Sequence, residues 1–322
     1  MQIKFTMLIV GLLSLLGFSY YKLHKPDQGS DKVKVTIEIK SKLGEGSFWD
    51  HHNQRLFWVD IEGKTVHIFD PATKKSKAFN TPSRVGTVVP KNRDEAVIAL
   101  EDGIYLINTN NGDLSLLSDV EAESTGNRFN DGKCDPNGNL WVGSMHLKQS
   151  APKGNLYKID IKGTATKMLD SVTISNGIVW TSDNKTMYYI DTPTGKIQAF
   201  DFHAGNSTIS NKRTAVYIDE SLGFGDGMAI DSEDKLWVAL WNGNAVARFD
   251  PLTGKLIEKI NVPAHNVTSC TFGGKNFETL YITTSSLDMT EKENKEFPLA
   301  GSLFEVRPGI KGVAGNFFSQ KK

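Results

Sequence analysis

The sequence predicts an all-β protein, a six-bladed β-propeller with four-stranded blades. A short strand of aromatic or β-branched residues recurs six times, and no long stretch shows the 3.6-residue apolar period of an amphipathic helix. The recurring strands are centred on Phe57, Ile98, Trp141, Tyr188, Trp237 and Tyr281. Their spacings are 41, 43, 47, 49 and 44 residues. A period in the forties, filled only with strand-like segments, is typical of propeller blades.

The first 32 residues are predicted to lie outside the propeller. Lys4 precedes an apolar run over residues 5–18, which is too short to span a bilayer comfortably and is typical of a secretory signal peptide. We therefore assign residues 1–19 to a signal peptide, or alternatively to a retained signal anchor, and residues 20–32 to a linker. The propeller is expected over residues 33–322, in a protein that is secreted or stays in the secretory pathway.

The strand before the first repeat is expected to close the ring. Val33, Val35, Ile37 and Ile39 alternate with polar residues, which indicates a half-buried strand. This strand has no blade of its own, so we predict that it forms the outer strand of the last blade, whose inner strands lie within residues 269–306. Such a closure joins the two ends of the chain and removes an open sheet edge.

Turn residues separate the strands inside the blades. Asp70-Pro71 and Asp250-Pro251 each follow a strand, and Gly254 can adopt the positive φ that closes a hairpin. Asp60 and Asp191 each end an aromatic strand, and we interpret both as turn caps.

The composition narrows the classes of function. The 322 residues include 37 Lys+Arg and 37 Asp+Glu, so the chain lacks the basic surplus that nucleic-acid binding requires. Its two cysteines, Cys134 and Cys270, are too few for a disulfide scaffold or a cysteine zinc cluster, and we predict two buried free thiols. The sequence also lacks the motifs of zinc proteases and nucleotide-binding loops.

One position of the repeat carries side-chain oxygens in four blades. Glu45, Asn130, Asn176 and Asp226 lie 11 or 12 residues before a strand marker, and a glycine follows each of them directly or after Asp131. Because this position begins the innermost strand of a blade, the four side chains should meet on the ring axis. Hard oxygen donors suit Ca²⁺ first, with Zn²⁺, Mn²⁺ or Mg²⁺ as alternatives. The other interpretation is that these dipeptides are only hairpin turns.

Arg128 is a candidate substrate-binding residue. It lies two residues before Asn130, and residues i and i+2 of an extended strand face the same side. We therefore expect Arg128 to reach the same cavity and to bind a substrate oxygen or carboxylate. A structural salt bridge between blades is the alternative.

Several motifs carry a family resemblance. In chain order they are Gly44-Glu45-Gly46-Ser47-Phe48-Trp49, Arg128-Phe129-Asn130-Asp131-Gly132-Lys133, Ile174-Ser175-Asn176-Gly177, Asp226-Gly227-Met228 and Thr268-Ser269-Cys270-Thr271-Phe272-Gly273-Gly274. Over residues 37–318 the chain resembles the regucalcin (senescence marker protein) and gluconolactonase family, which includes insect proteins described as luciferin-regenerating. The resemblance implies a six-bladed propeller that hydrolyses sugar lactones. It also implies one divalent cation held by Glu45, Asn176 and Asp226, with Arg128 and Asn130 facing the substrate.

The chain departs from the family pattern at Lys148. Regucalcin carries an acidic residue that contacts a sugar hydroxyl in the loop where this chain has Lys148. A lysine offers donors and a positive charge but no acceptor, so a substrate-binding role for Lys148 favours an anionic substrate. A solvated surface lysine is the alternative. The N-terminal apolar segment is a second departure, since regucalcin itself lacks one.

These observations predict a divalent-metal-dependent lactone hydrolase that opens a sugar lactone to an aldonic acid. Asp226 is the candidate general base because it is acidic and adjacent to the metal. One alternative is a non-catalytic calcium-binding or ligand-carrier propeller. Another is a luciferin-regenerating-type hydrolase that acts on a non-sugar substrate. We expect a small-molecule lactone as partner, no nucleic acid, membrane contact only through an uncleaved anchor, and a monomer or weak dimer.

Overall fold

A computed structural model of the chain describes residues 32–319. These residues form six antiparallel sheets of four strands each, arranged as the predicted six-bladed β-propeller. The segments predicted as a signal peptide or anchor and as a linker lie outside the described residues, apart from residue 32 at the end of the linker. Between residues 32 and 319 there is no helix with the length and apolar character needed to cross a membrane.

The first three blades follow the chain in order. Blade 1 consists of β2 (Gly44–Asp50), β3 (Arg55–Asp60), β4 (Thr65–Asp70) and β5 (Lys75–Asn80). Blade 2 consists of β6 (Val85–Pro90), β7 (Glu95–Leu100), β8 (Gly103–Asn108) and β9 (Leu114–Ser118). Blade 3 consists of β10 (Asn127–Cys134), β11 (Leu140–His146), β12 (Gly154–Ile159) and β13 (Ala165–Val172).

The other three blades complete the ring. Blade 4 consists of β14 (Ser175–Trp180), β15 (Thr186–Asp191), β16 (Lys196–His203) and β17 (Thr208–Tyr217). Blade 5 consists of β18 (Phe224–Ile230), β19 (Leu236–Trp241), β20 (Ala245–Asp250) and β21 (Lys255–Asn261). Blade 6 consists of β22 (Asn266–Gly273), β23 (Thr279–Ser285), β24 (Leu303–Val306) and β1 (Lys34–Ile37). The helical segments of the described chain are short: two 3₁₀ turns at Thr192–Thr194 and Glu220–Leu222, and α1 at Glu291–Glu296.

The N-terminal strand closes the ring as predicted. β1 pairs antiparallel with β24, and Val35 lies opposite Phe304. The last blade therefore combines three strands from the end of the chain with one from the beginning. Because this pairing crosses most of the sequence, it holds the ring closed only when both ends of the chain are in place.

The tryptophans that mark the repeat are packed between blades. Trp141 and Trp237 are fully buried, and each indole N–H donates to the aspartate six residues earlier, at 2.9 Å to Asp135 Oδ2 and 2.9 Å to Asp231 Oδ2. The same aspartates accept backbone N–H groups of their turns, for example from Asn137 at 2.8 Å. Each aspartate thus accepts hydrogen bonds both from its turn and from a buried indole, which fixes the hairpin against its neighbouring blade.

The C-terminal segment supplies a second closure that the sequence did not predict. After β24 the chain crosses the far ends of the inner strands, and Asn316 forms a β-bridge with Cys134 of blade 3. The Phe318 N–H donates to Pro90 O of blade 2 at 2.9 Å. The Phe317 ring is buried and lies edge-on to Phe48 of blade 1, with 5.6 Å between the ring centroids. The segment therefore connects blades 1, 2 and 3.

Removing the Phe317 ring should weaken this closure. We expect Phe317→Ala to lower the free energy of unfolding by about 3–5 kcal/mol, because a fully buried aromatic ring leaves a cavity when it is truncated. Denaturant unfolding followed by tryptophan fluorescence measures the change. Leu252→Ala is the control: Leu252 is 85% exposed and should change stability by less than about 0.5 kcal/mol. Equal stability of the two variants would show that the C-terminal segment contributes little to the ring.

Candidate active site

Three of the four oxygen-bearing residues, Asn130, Asn176 and Asp226, lie in β-bulges of the inner strands. In β10, Phe129 pairs with Ser144 and Gly132 with Val142, so Asn130 and Asp131 together oppose one residue. Asn176 and Asp226 are likewise the first residues of bulges in β14 and β18. A bulge bends its strand and redirects a side chain, so these residues are not hairpin turns, and that alternative interpretation is wrong.

Blades 1, 2 and 6 depart from this pattern. Glu45 directly precedes the bulge in β2, which comprises Gly46 and Ser47. In blade 2 the register shift falls at Gly86, and in blade 6 it falls at Thr268. Gly86 has no side chain, and the Thr268 hydroxyl donates to Gly44 O of blade 1. The channel oxygens therefore come from blades 1, 3, 4 and 5.

Glycines in the bulges let adjacent inner strands approach each other. A Cβ added at Gly177 would lie 2.5 Å from Met228 Cβ and 2.8 Å from Asp226 O, both in the next blade. A Cβ added at Gly227 would lie 2.8 Å from Thr268 O, again in the next blade. The glycines after Asn176 and Asp226 are thus required by close backbone approach at the channel, whereas Gly46 after Glu45 is favoured by its positive φ of 58°.

Two aspartates anchor the start of the inner strands of blades 1 and 4. Asp60 Oδ1 accepts the Leu43 N–H at 3.0 Å, and Asp191 Oδ1 accepts the Ile174 N–H at 2.9 Å. Leu43 and Ile174 each lie two residues before an oxygen-bearing residue of the channel. Asp60 also accepts the Gly63 N–H of its own turn at 2.8 Å, so its predicted role as a turn cap is confirmed. The Asp191 side chain accepts no N–H of the turn that follows it, so that prediction is wrong for Asp191, and both carboxylates instead hold the chain in place where the site begins.

A chain of hydrogen bonds joins blades 3, 4 and 5. Arg128 Nη1 donates to Asn130 Oδ1 at 2.6 Å, and Asn130 Nδ2 donates to Asn176 Oδ1 at 2.9 Å. Asn176 Nδ2 donates to Thr192 Oγ1 at 2.7 Å, and Thr192 Oγ1 donates to Gly225 O at 2.7 Å. Arg128, Asn130 and Asn176, which the sequence predicted as site residues, are therefore in contact. Thr192 connects them to the strand that carries Asp226.

Glu45 and Asp226 are buried carboxyl groups that repel each other. Each is 5% exposed, and burial raises the pKa of both well above the ordinary range. The Asp226 charge raises the pKa of Glu45 further, and the Asp131 charge raises the pKa of both groups. Asp226 Oδ1 has no hydrogen-bond partner within residues 32–319. Two desolvated carboxyl groups with an unpartnered oxygen form a site that a divalent cation would stabilise.

Arg128 is buried without a carboxylate partner. The residue is 6% exposed, and burial lowers the pKa of its guanidinium. Its Nη1 donates to Phe129 O at 3.0 Å as well as to Asn130, but none of the ion pairs formed within residues 32–319 involves Arg128. The inter-blade salt bridge that the sequence left open is therefore not formed.

Five of the six predicted site residues line one cavity of about 550 Å³ at the mouth of the channel. It contains Glu45, Arg128, Asn130, Asn176 and Asp226. The sequence did not identify several further lining residues: Leu43, Met145, Leu147, Gln149, Ile174, Phe224 and Trp241. Three of them, Leu43, Ile174 and Phe224, lie two residues before Glu45, Asn176 and Asp226, so the spacing argument that indicated Arg128 could have found them.

Lys148 lies beside this cavity rather than among its lining residues. The side chain is exposed, and the two neighbours, Leu147 and Gln149, line the cavity. The Lys148 N–H donates to His146 Nδ1 at 3.2 Å, which shapes the loop. A substrate-binding role for Lys148 stays a prediction.

The cysteines and the other common metal-binding side chains form no further site in the described part of the chain. Cys134 and Cys270 are buried free thiols, as predicted. Within residues 32–319, no three His, Cys, Asp or Glu side chains are grouped so as to hold a metal ion. The candidate set of Glu45, Asn176 and Asp226 contains two such residues and one amide, so it depends on oxygen donors of mixed type.

The fold and this site define a class: six-bladed propellers with an oxygen-lined, partly charged cavity at one end of the channel. The sequence model of the family described as "SMP-30/Gluconolactonase/LRE-like region" matches residues 43–286. The chain belongs to this family, and membership supports a lactonase-type enzymatic function.

Curated relatives match over nearly their whole length. A putative sugar lactone lactonase from Bacillus subtilis (strain 168) is 40% identical over 273 residues, which cover 85% of this chain and 94% of the relative. Regucalcin from Danio rerio is 36% identical over 287 residues, which cover 88% of this chain and 97% of the relative.

Two solved structures share the fold. A luciferin-regenerating enzyme superposes with a TM-score of 0.85 at 31% identity, over 91% of this chain and 100% of the other. A calcium-binding protein, regucalcin from Agrobacterium tumefaciens, superposes with a TM-score of 0.85 at 27% identity, over 88% and 96% of the two chains.

The bulge glycines provide a test of the site's architecture. We expect Gly177→Ala to lower the free energy of unfolding by about 1–3 kcal/mol, because the new methyl group would overlap the neighbouring inner strand. Thermal and denaturant unfolding measure this loss. Gly205→Ala is the matched control, since a Cβ there meets no atom within 4 Å. If both substitutions are tolerated equally, close strand approach does not explain the glycine.

Proposed function

We propose that this protein is a divalent-metal-dependent lactonase that hydrolyses a lactone to the corresponding hydroxy acid, with sugar lactones as the reference substrates. The observation that carries this proposal is that two buried carboxyl groups, Glu45 and Asp226, and the buried guanidinium of Arg128 line one cavity. Family membership supports the reaction class, and the chemistry of the side chains supports the finer assignment.

Glu45, Asn176 and Asp226 would hold the cation. Their donors are two carboxylates and one carboxamide oxygen, and Asp226 Oδ1 has no hydrogen-bond partner within residues 32–319. This oxygen-only set suits Ca²⁺ first, with Zn²⁺, Mn²⁺ or Mg²⁺ as alternatives. The Agrobacterium tumefaciens relative is described as a calcium-binding protein, which supports the same choice. A bound divalent cation would supply a Lewis acid that polarises the lactone carbonyl.

Arg128 would orient the substrate. Its Nη1 is fixed by Asn130 Oδ1 and Phe129 O, which leaves the other guanidinium donors for a ligand in the cavity. A lactone carbonyl or ring oxygen is an acceptor, and a buried, positively charged donor binds it more strongly than a neutral donor does. Arg128 also lies on the strand adjacent to Asn176, so it faces the same point of the channel.

Asn130 would act mainly by holding its neighbours. Both hydrogens of Nδ2 are used, one by Ser175 O at 2.6 Å and the other by Asn176 Oδ1 at 2.9 Å. Its Oδ1 accepts from Arg128. A direct contact between Asn130 and the substrate is limited to the remaining lone pair of Oδ1, while its bonds position Arg128 and Asn176.

Asp226 would serve as the general base. Its unpartnered Oδ1 belongs to a buried carboxyl group that lines the cavity, so an acidic group stands where the attacking water would bind. The carboxylate takes a proton from the attacking water as the water oxygen bonds to the lactone carbonyl carbon. The ring C–O bond then breaks, and the departing alkoxide takes up the proton to give the hydroxy acid.

A calcium-binding or carrier function without catalysis is the second candidate. It is favoured by the calcium-binding description of the Agrobacterium tumefaciens relative and needs only the cation site and the cavity. It differs from the lactonase in one respect that can be measured: it predicts binding of lactone or calcium without turnover.

The cation site can be tested without measuring activity. We expect chelator-treated protein to bind Ca²⁺ in isothermal titration calorimetry, and Asp226→Asn to weaken this binding at least about tenfold because one of two charged ligands is lost. Asn176→Ala should weaken binding while changing the free energy of unfolding by only about 1 kcal/mol, the usual net value of a hydrogen bond. Asp201→Asn, an exposed carboxylate on β16, is the control and should bind like the native chain. Unchanged affinity in the Asp226 and Asn176 variants would place the cation elsewhere.

The reaction can be tested with a neutral sugar lactone. We expect the calcium-loaded protein to release acid from glucono-1,5-lactone above the spontaneous rate, and a chelator to remove this activity. Asp226→Asn should lower kcat at least about a hundredfold, the usual contribution of a general base. Arg128→Gln should raise KM more than it lowers kcat if the guanidinium binds substrate and transition state alike. Calcium binding without any turnover would favour the carrier function instead.

A further inference from the structure

The cavity has two chemically different sides. Blades 1 and 2 contribute Glu62 and Arg84, which form an ion pair with 2.7 Å between Arg84 Nε and Glu62 Oε1. Arg84 Nη1 also lies 2.8 Å from Glu101 Oε1. The side formed by blades 3 to 6 also carries a group of apolar side chains: Met145, Leu147, Pro193, Phe224, Trp241 and Leu287.

Part of this apolar side is open to solvent next to the candidate base. Phe224 is 43% exposed and Leu147 is 40% exposed, although both line the cavity. Phe224 lies directly opposite Trp241 in the β18–β19 ladder and two residues before Asp226, so all three side chains share a face. The apolar surface therefore begins beside the carboxyl group that would act on the lactone and extends outward.

Polar groups on this side are largely committed to the protein. Thr192 Oγ1 accepts from Asn176 Nδ2 and donates to Gly225 O. Asn266 Oδ1 accepts the Asn242 N–H at 3.2 Å, and Asn266 Nδ2 donates to Leu287 O at 3.1 Å. Gln149, Asn242 and Asp288 also line the cavity, while Phe224 and Trp241 are paired directly across the β18–β19 ladder.

A sugar lactone and an alkyl lactone would bind to this surface with different free energies. A sugar lactone carries hydroxyl groups on its ring, and a buried hydroxyl that finds no partner costs free energy. A hydrocarbon substituent gains free energy by removing its own surface and the exposed parts of Phe224 and Leu147 from water. The apolar side therefore favours a substrate that is polar at the ester and apolar beyond it.

We propose that the substrate is a five- or six-membered lactone with a hydrocarbon substituent, which packs on Phe224, Trp241 and Leu147 while the ester faces Arg128 and Asp226. This inference rests on the lactonase function proposed above. Phe224 and Leu147 are then specificity-determining residues, and the polyhydroxylated lactones are secondary substrates.

Paired substrates test the proposal on the calcium-loaded full chain. We expect kcat/KM for a hexyl-substituted γ-lactone to exceed that for unsubstituted γ-butyrolactone at least about tenfold, because each methylene that becomes buried is worth about fourfold. Phe224→Ser and Leu147→Ser should each lower this ratio several-fold, mainly through the substituted substrate. Both residues are exposed enough that the fold should tolerate serine. Leu252→Ser, an exposed leucine on the β20–β21 turn outside the cavity, should leave the ratio unchanged.

The outcomes separate this inference from the function it rests on. Turnover of glucono-1,5-lactone and γ-butyrolactone with a substituted-to-unsubstituted ratio near one would overturn the inference and leave the lactonase function standing. A high ratio that neither the Phe224 nor the Leu147 variant changes would also overturn it, because the apolar surface would then not select the substrate. Absence of turnover for every lactone, with calcium bound, would overturn the lactonase function itself.

Discussion

The close approach of six inner strands around one axis is the constraint on which this structure depends. Strands that meet at the axis have no room for side chains where their backbones touch, which explains Gly177 beside Asp226 O and Gly227 beside Thr268 O. The residue just before such a glycine must then direct its side chain into the channel. The site is therefore a consequence of closing the ring, and both β1 and the C-terminal segment contribute to it from a distance.

The close approach of the inner strands also brings charged side chains together at the channel. Glu45, Asp226 and Asp131 are buried near one another, and Arg128 and Lys133 are the basic groups that favour their ionised forms. Burying several charges with incomplete pairing is costly, and a fold that retains them uses the resulting field for binding or catalysis. A divalent cation held between Glu45 and Asp226 would offset the repulsion between their carboxylates. The hydrophobic packing between blades, seen at Trp141 and Trp237, supplies the stability that offsets this cost.

Much of the fold was readable from the sequence, because a repeated pattern reports the same structural position several times. Six aromatic or β-branched markers indicated six blades, and the unmatched alternating strand before them indicated the closure. The C-terminal closure escaped prediction because Gly312–Ser319 form almost no regular strand and make their contacts through single bridges and two buried rings. For the site, the shared spacing brought Glu45, Asn130, Asn176 and Asp226 together, but it could not show that three of them lie in bulges and Glu45 directly before one. Register is a property of pairs of strands, and a single sequence does not state which residue opposes which.

The repeat also separates two chemical roles within each inner strand. The residue at or just before the bulge supplies the channel oxygen in four blades, while the residue two positions earlier lines the cavity above it. In blade 3 that earlier residue is Arg128, whereas in blades 1, 4 and 5 it is Leu43, Ile174 and Phe224. Since side chains alternate along a strand, changing the earlier residue would alter what lies over the proposed cation site without disturbing the channel oxygen. On the function proposed above, a propeller of this kind would keep one hydrolytic centre and change its substrate by substitution at this repeat position, and Phe224 would favour an apolar substrate.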